Sequence, residues 1–238
     1  MRPTPARASA TPAWGGGGPA DTAFRILGPV RAERASHPVP LPGGKQRTLL
    51  AALLARAGAG IPAGELVPYI LSGGGPENPE AAVYTYVARL RSALARHAAC
   101  PGLIRTTRAG YRADLGPDRL DLSAFRALVQ RALRRVDRAD LRGGAADLHD
   151  ALALWRGPAA DGLGSAAFRR AVAEPLEEEA VRALDRYLDV MAALGEGPDA
   201  LAELRGMAAV HRGRGALGRR LQEALRGHGE GAARGRSA

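Results

Sequence analysis

Six arginines stand close together in the middle of the chain, within residues 80–112, and that stretch holds no acidic residue after Glu80. The six are Arg89, Arg91, Arg96, Arg105, Arg108 and Arg112. A guanidinium donates to phosphate oxygens or, with two N–H groups, to O6 and N7 of guanine. Tyr84, Thr85 and Ser92 add hydroxyl groups to the same stretch. These residue types predict a surface that contacts nucleic acid, and a solvated basic face is the alternative.

A helix is the element that would position the first of these side chains. Apolar residues recur at helical spacing and predict one buried stripe, consisting of Val83, Val87, Leu90 and Leu94. Two positions after each of them come residues that a helix places on its opposite side, namely Thr85, Arg89, Ser92 and Arg96. On this helix Arg89 and Arg91 are the predicted guanine readers, and Tyr84 is a candidate phosphate contact.

A β-hairpin is predicted directly after the helix. Residues 103–107 and 111–115 are short apolar or β-branched runs, and Arg108-Ala109-Gly110 between them reads as the turn. Arginines would then lie in the first strand, at the tip and in the second strand, where they could contact phosphates or a minor groove. Tyr111 is predicted to pack the hairpin onto the domain. A basic helix followed by a basic hairpin is the pattern of a winged helix.

The residues before this helix are predicted to complete a small domain around it. The predicted elements are strands over 24–30 and 37–41, a helix from Gly43-Gly44 to Gly58, a short helix over 65–71 and a flexible connector over 72–79. Lys45 and Arg47 lie in the first turn of the longer helix. Exposed amides and two cations there could clamp a phosphate, and an ordinary helix start is the alternative.

The distribution of charge narrows the class of partner. The formal net charge is +10, of which +6 falls within residues 21–115 and +2 within each of the flanking segments 1–20 and 116–238. Such a basic segment attracts a polyanion, either nucleic acid or an anionic membrane. The sequence shows no apolar run of membrane-spanning length and no signal peptide. We therefore predict no membrane partner and a cytoplasmic, nucleoid-associated location.

The sequence shows no catalytic or metal-binding constellation. Cys100 is the only cysteine, and the five histidines lack the spacing of metal ligands. No serine lies in a GxSxG motif. Gly43-Gly44-Lys45 is followed by glutamine where a phosphate-binding loop requires serine or threonine. We predict a binding protein rather than an enzyme, with no catalytic residue, metal or cofactor.

The second half of the chain carries helical patterns throughout. Apolar stripes occur around Leu122–Leu133, Leu148–Trp155, Leu176–Met191 and Leu201–Ala208, with a weaker one at 217–225. Predicted breaks fall at Gly143-Gly144, Gly157-Pro158 and 195–198. Pro175 predicts either a new helix N-terminus or a kink within one helix. Paired helices of this kind are similar to tetratricopeptide-like repeats, although no strict 34-residue period is present.

Six stretches, taken in their order along the chain, resemble one known family. FRILGPV, LPGGKQRTLLAALLARAG, YVARLRSAL and IRTTRAGYRADL resemble the OmpR-type winged-helix domain as used in the Streptomyces antibiotic regulatory protein (SARP) family. LDLSAFRALV and ALALWRGPA are similar to the opening of the bacterial transcriptional activator domain that follows it there. The resemblance covers residues 22–225. It implies a mainly α fold, in which an N-terminal α+β winged helix precedes an all-α helical-repeat domain.

The composition of the ends of the chain and the resemblance together give the domain boundaries that we expect. These are a disordered arm over 1–21, the winged-helix domain over 22–115, the activator domain over 118–226 and a disordered tail over 227–238. The glycine-rich sequence after His211 predicts an incomplete final repeat. No receiver domain is expected before residue 20 and no ATPase domain after residue 225.

The function implied by the family is transcription regulation. It predicts activation of secondary-metabolite (antibiotic) biosynthetic genes, binding of double-stranded DNA at promoter direct repeats, a homodimer on DNA and contact with RNA polymerase holoenzyme. The loop before the recognition helix is often the polymerase contact in OmpR-type domains, which implicates Ser72, Gly73, Gly74, Glu77 and Asn78. The alternative is a non-catalytic helical-repeat adaptor that binds acidic partners and nucleic acid without sequence preference.

Overall fold

The computed structural model describes residues 22–71, 78–98 and 100–234, and for residues 198–199 and 227–234 it describes the backbone only. The first half contains a three-stranded antiparallel sheet, three helices and a two-stranded hairpin. In order they are β1 (Thr22–Arg25), β2 (Arg31–Arg34), β3 (His37–Val39), α1 (Gly44–Ala55), α2 (Ala63–Ile70), α3 (Pro79–His97), β4 (Ile104–Thr107) and β5 (Gly110–Ala113). This is the predicted winged-helix order.

The N-terminal sheet differs from its sequence prediction in its strand boundaries and in the number of its strands. The strand predicted over 37–41 ends at Val39, and the one predicted over 24–30 begins at Thr22. The first strand ends at Arg25, because the next two amides, of Ile26 and Leu27, donate to the carboxylate of Asp121 instead of to a strand. β2 was not predicted at all. Its sequence RAER buries only Ala32, so it lacks the apolar alternation that marks a strand.

The three helices of this half surround one apolar core. α1 is buried continuously from Thr48 to Ala55, since neighbours cover it on all sides. The Asn78 side chain accepts a hydrogen bond from the Ala81 amide at 3.1 Å and caps the N-terminus of α3. The predicted stripe of α3 is buried as expected, at Val83, Val87, Leu90 and Leu94.

The second half is helical, as predicted. After a short 3₁₀ turn, the elements are α4 (Asp121–Asp137), α5 (Leu141–Ala153), α6 (Ala166–Phe168), α7 (Glu174–Ala193), α8 (Gly197–His211) and α9 (Gly215–Arg234). A π turn, Arg169–Ala173, joins α6 to α7. α5 packs against both α4 and α7, while α9 packs against α7 and α8. Neighbouring helices along the chain therefore form pairs.

The predicted break at Gly143-Gly144 is wrong. α5 already begins at Leu141, and the Asp140 side chain caps it by accepting from the Gly143 amide at 3.0 Å. A Cβ on Gly144 would lie 2.5 Å from Cγ2 of Val136, so the glycine permits close approach of α4 and α5. Gly144 therefore serves helix packing and does not mark a break between helices.

Pro175 lies in the first turn of α7, which is the position where a proline costs the helix least. The chain is helical before Pro175 as well, because Ala173 and Glu174 both have right-handed helical angles. Pro175 therefore lies where the π turn passes into α7 within one continuous helical stretch, and not at a free helix N-terminus. At the other end, α9 continues to Arg234, whereas the sequence predicts a tail from residue 227. Residues 1–21 and 235–238 lie outside the described residues.

A buried carboxylate joins the two halves. Asp121 is 1% exposed and accepts hydrogen bonds from the amides of Ile26, at 2.8 Å, and Leu27, at 3.1 Å. Nη2 of Arg156 lies 3.3 Å from Oδ2 of Asp121, and the Arg156 amide donates to the Leu27 carbonyl at 2.8 Å. Burial raises the pKa of Asp121, while the two amides and Arg156 oppose that rise. The halves share one continuous core.

A second contact ties the winged-helix half to the helical half. Ser165 Oγ donates to the Pro68 carbonyl at 2.6 Å, and the rings of Tyr69 and Phe168 meet edge to face with their centroids 5.9 Å apart. α2 and α6 are thereby held together. The position of the winged helix relative to the helical array is fixed at two separate places.

A buried histidine makes stability depend on pH. His211 is 2% exposed, and burial lowers its pKa although its ring is hydrogen-bonded to the Trp155 backbone. The unfolded chain therefore takes up this proton at a higher pH than the folded chain. We expect the free energy of unfolding to fall as pH drops below about 6.5, by at most about 1.4 kcal/mol per pH unit for this group. Urea unfolding at pH 7.5 and pH 5.5 measures the difference.

The substitution His211→Gln removes the titrating group and should flatten the pH dependence between those two values. His37→Gln is the control, because His37 is exposed on β3. It makes the same change of residue type at an exposed position, so it shows whether the substitution itself alters the unfolding. A pH dependence that is unchanged in His211→Gln would contradict the assignment.

Candidate nucleic-acid interface

The outer face of α3 is exposed along its length, as the sequence predicts. Thr85, Arg89, Ser92 and Arg96 are all exposed. Within the part of the chain that the structure describes, the guanidinium groups of Arg89 and Arg96 have no hydrogen-bond or ion-pair partner. The Thr85 hydroxyl donates to the Ala81 carbonyl at 3.0 Å, so its proton is used within the helix. This face offers unpaired cations to an outside ligand.

Arg91 has a different role from the one that the sequence suggests. Its Nε donates to the Ile104 carbonyl at 3.0 Å, and its Nη2 donates to Oγ1 of Thr106 at 2.9 Å. The guanidinium carbon also lies 5.7 Å from the centroid of the Tyr111 ring. These contacts hold α3 against β4. The geometry therefore favours positioning of the hairpin over the guanine reading predicted for Arg91.

The three arginines of the hairpin fall into two classes. Arg105 and Arg112 are paired across the strands, and both approach Oδ2 of Asp114, at 2.8 and 3.8 Å. Arg108 is exposed at the tip and has no charged partner among the described residues. Sequence alone gives the three arginines equal weight, because it does not show that Asp114 lies beside two of them and compensates their charge. Arg108 is thus the hairpin arginine that is fully available to a phosphate.

The hairpin is anchored to the domain through its second strand. The Tyr111 amide donates to the Ile61 carbonyl at 2.9 Å, and the Ile61 amide donates back to the Tyr111 carbonyl at 2.8 Å. Tyr111 is buried, and burial raises the pKa of its hydroxyl. The predicted packing role of Tyr111 is confirmed. Tyr84 is 51% exposed beside it, with the ring centroids 6.3 Å apart.

The first turn of α1 holds two cations, and among the described residues Arg47 makes hydrogen bonds whereas Lys45 has neither a hydrogen bond nor an ion pair. Arg47 donates to the carbonyls of Pro42, at 3.1 Å, and Leu41, at 3.0 Å, and so fixes the loop before the helix. Lys45 is exposed, and its Nζ lies 5.6 Å from the centroid of the half-buried Tyr86 ring. Of the two residues predicted to clamp a phosphate, the geometry leaves Lys45 available and engages Arg47 internally.

Most residues of the predicted polymerase contact are not among the residues that the structure describes. Ser72, Gly73, Gly74 and Glu77, which belong to the predicted polymerase loop, are outside the described residues. Asn78 is described and serves as the N-cap of α3. Among the described residues, no group of histidine, cysteine, aspartate or glutamate side chains is arranged to hold a metal ion. None of the described helices is both long and apolar enough to cross a bilayer.

Comparison with known proteins gives one family match in the helical half and several alignments that cover most of the chain. Residues 120–233 match the family model of the bacterial transcriptional activator domain. Regulatory protein AfsR of Streptomyces coelicolor is 33% identical over 203 residues, and regulatory protein DnrI of Streptomyces peucetius is 25% identical over 194 residues. Transcriptional regulatory protein MoaR1 of Mycobacterium tuberculosis is 27% identical over 200 residues.

These alignments cover 85%, 79% and 83% of the chain in turn. The chain spans only 19% of AfsR, but 71% of DnrI and 64% of MoaR1. Among solved structures, Mycobacterium tuberculosis EmbR in complex with a low affinity phosphopeptide superposes on the chain with a TM-score of 0.66 at 25% identity. That superposition covers 86% of the chain and 53% of EmbR.

Proposed function

The chain belongs to the SARP family of transcriptional regulators, and from this premise we propose that it is a sequence-specific DNA-binding activator. The observation that carries the proposal is the outer face of α3, on which Arg89 and Arg96 are exposed and unpaired within the described chain. A helix of 19 residues with one buried and one basic face fits a major groove.

Different residues would contribute affinity and specificity. Arg89, near the middle of α3, is the proposed guanine reader, because its guanidinium is not committed to another group of the described chain. Arg96, Arg108 and Lys45 would contact phosphates, which fix the register of the protein on DNA without reading sequence. Thr85, Ser92 and Tyr84 would add groove or phosphate contacts. Arg91 would act indirectly, by holding the hairpin beside α3.

By analogy with the family, we also propose a DNA target, a protein partner and a set of regulated genes. Promoter direct repeats, occupied by a homodimer, are the proposed DNA target, and RNA polymerase holoenzyme is the proposed protein partner. Such binding would keep the chain on the nucleoid. The target genes would be those of secondary metabolism, by analogy with the antibiotic regulators of the family. Residues 72–77, which precede α3, are the proposed polymerase contact together with Asn78.

The second candidate function is a helical-repeat adaptor that binds nucleic acid without sequence preference. The observation that favours it is the internal pairing of several arginines. Arg47, Arg91, Arg105 and Arg112 are each bonded or ion-paired within the chain. With these four side chains engaged, fewer arginines remain to contact base edges. The remaining cations would then attract phosphates without regard to sequence. The two candidates differ in whether one duplex sequence is preferred.

Replacing Arg89 by alanine should discriminate between them. A preferred duplex is first selected from a pool of randomised 30-base-pair DNA, and its affinity is then measured by titration at two salt concentrations. We expect Arg89→Ala to weaken binding to the selected duplex by about 1–3 kcal/mol, or roughly 5- to 150-fold, with little change for an unrelated duplex. The unmodified chain should favour its selected duplex by about a thousandfold.

Two further variants separate base reading from charge. Arg108→Ala should weaken binding to both duplexes alike and reduce the slope of log affinity against log salt by about 1. Arg134→Ala removes the same charge from the exposed surface of α4 and should leave both affinities near those of the unmodified chain. If selection yields no preferred duplex and Arg89→Ala affects every duplex equally, the adaptor candidate is the better account.

A further inference from the structure

Two helices of the second half leave a groove between them. α4 and α7 both pack against α5, and the space between α4 and α7 has a volume of about 350 Å³. This volume lies at the lower end of the range for ligand-binding cavities. The groove, which we call the α4–α7 groove, is open along one side. It contains no residue of α1–α3 or of the hairpin, so its use does not depend on DNA binding.

The floor of the α4–α7 groove is apolar. Phe125 and Ala183 are buried beneath it, while Val129 and Leu133 are only partly covered. The sequence pattern placed Leu133 in a buried stripe, but the structure leaves part of this side chain facing the groove. Phe125, Val129 and Leu133 recur every four residues along α4, over roughly 12 Å. An elongated apolar strip therefore lies open between two helices.

The rim of the groove is basic. Arg126 and Glu179 bridge it with two hydrogen bonds, of 2.8 and 2.7 Å, and so compensate each other. Arg182 approaches Glu178 only to 3.9 Å, and both of these side chains are about two-thirds exposed. Arg186 has no ion pair or hydrogen bond with any described residue. Three arginines and one glutamate line the groove, which gives it a formal charge of +2.

We propose that the α4–α7 groove binds an acidic amphipathic helix of a protein partner. The apolar side chains of that helix would rest on Val129 and Leu133, and its carboxylates would pair with Arg182 and Arg186. These two arginines are one turn apart on α7, about 6 Å along the axis, which is the spacing of carboxylates at positions i and i+4 of a second helix. The apolar floor fits a helix better than it fits a phosphate backbone.

A pair of synthetic peptides tests this proposal on the full chain. The first is a fluorescein-labelled 16-residue peptide with leucines at i, i+3, i+4 and i+7 and glutamates on the flanking positions. The second has the same composition in scrambled order, so that it keeps the charge and loses the apolar stripe. Fluorescence anisotropy should show that the patterned peptide binds at least tenfold more tightly than the scrambled one.

Charge-reversal variants locate the site. Arg182→Glu combined with Arg186→Glu should weaken binding of the patterned peptide at least tenfold. Arg169→Glu combined with Arg170→Glu makes the same change of net charge at two exposed positions of the π turn, outside the groove, and should keep the affinity. Val129→Gln leaves the charge unchanged and makes the floor polar, so it should also weaken binding. Thermal melts followed by circular dichroism check that each variant is folded.

Three outcomes would overturn the proposal. The first is equal affinity for the two peptides, and the second is an equal loss of affinity in the two charge-reversal variants. The third comes from hydrogen exchange with and without the patterned peptide, and it is protection of α3 and the hairpin instead of α4 and α7. The last outcome would assign the peptide to the nucleic-acid surface. Because Arg89→Ala leaves the groove intact, it should not change peptide binding, so failure of this proposal is distinguishable from failure of the proposed DNA binding.

Discussion

Replacing Asp121 by alanine is expected to lower the free energy of unfolding by about 3–5 kcal/mol, because it breaks a buried ion pair by removing one partner. The guanidinium of Arg156, which is 23% exposed, would lose its carboxylate. The amides of Ile26 and Leu27 would lose their acceptor in the interior. Urea unfolding followed by circular dichroism measures the change in midpoint.

Two companion variants identify the cause of this loss. Asp121→Asn keeps an oxygen acceptor for the amides and removes only the charge opposite Arg156, so we expect a smaller loss. Asp137→Ala removes a carboxylate from the exposed end of the same helix and should change the free energy of unfolding by less than about 0.5 kcal/mol. If Asp121→Ala unfolds at the same midpoint as Asp137→Ala, the contacts of Asp121 do not stabilise the junction of the two halves.

The second large effect is expected from Gly110→Ala. Gly110 follows the tip of the hairpin with φ of +107°, a conformation that L residues rarely adopt. A Cβ at this position would overlap the carbonyl of Ile61, which is the group that anchors the hairpin. We expect the free energy of unfolding to fall by about 2 kcal/mol or more, since strain and a broken backbone pair act together.

Gly102→Ala is the matched control for Gly110→Ala. Gly102 lies just before β4, its backbone needs no positive φ, and a Cβ there would meet no atom within 4 Å. Its unfolding midpoint should therefore stay close to that of the unmodified chain. Both variants can also be titrated with the selected duplex. Displacement of the hairpin in Gly110→Ala should weaken DNA binding, and equal stability of the two alanine variants would show that the hairpin is not anchored through Ile61.

The arginines of the winged helix divide according to what they touch inside the chain. Arg91 and Arg47 donate to backbone carbonyls, and Arg105 with Arg112 shares Asp114. Arg89, Arg96 and Arg108 have no partner among the described residues and stand on the surface that faces outward. The proposed DNA contact therefore depends on fewer cations than the net charge suggests. Substitution of Arg89 therefore tests base reading more directly than substitution of Arg91, whose guanidinium is already bonded within the chain.

Much of the fold follows from local sequence alone. The apolar stripe of α3 and the Gly-containing turn between β4 and β5 each depend on residues close together in the chain. The order of the motifs along the chain also resembles that of the SARP family, and this resemblance predicts a winged helix followed by a helical array. The exposed face of α3, including Arg89 and Arg96, follows from the same periodicity, because a helix with one buried stripe must expose the opposite side.

Only the tertiary structure decides which polar groups are already satisfied. β2 forms from a polar sequence because β1 and β3 pair with it on both sides. The first strand ends early because its next amides meet Asp121, which is 95 residues away. Arg91 is occupied because Ile104 and Thr106 lie beside it in space. Periodicity fixes the side of a helix on which a residue lies, but hydrogen bonds and ion pairs join residues far apart in sequence, so the partner of each charge depends on how the elements pack.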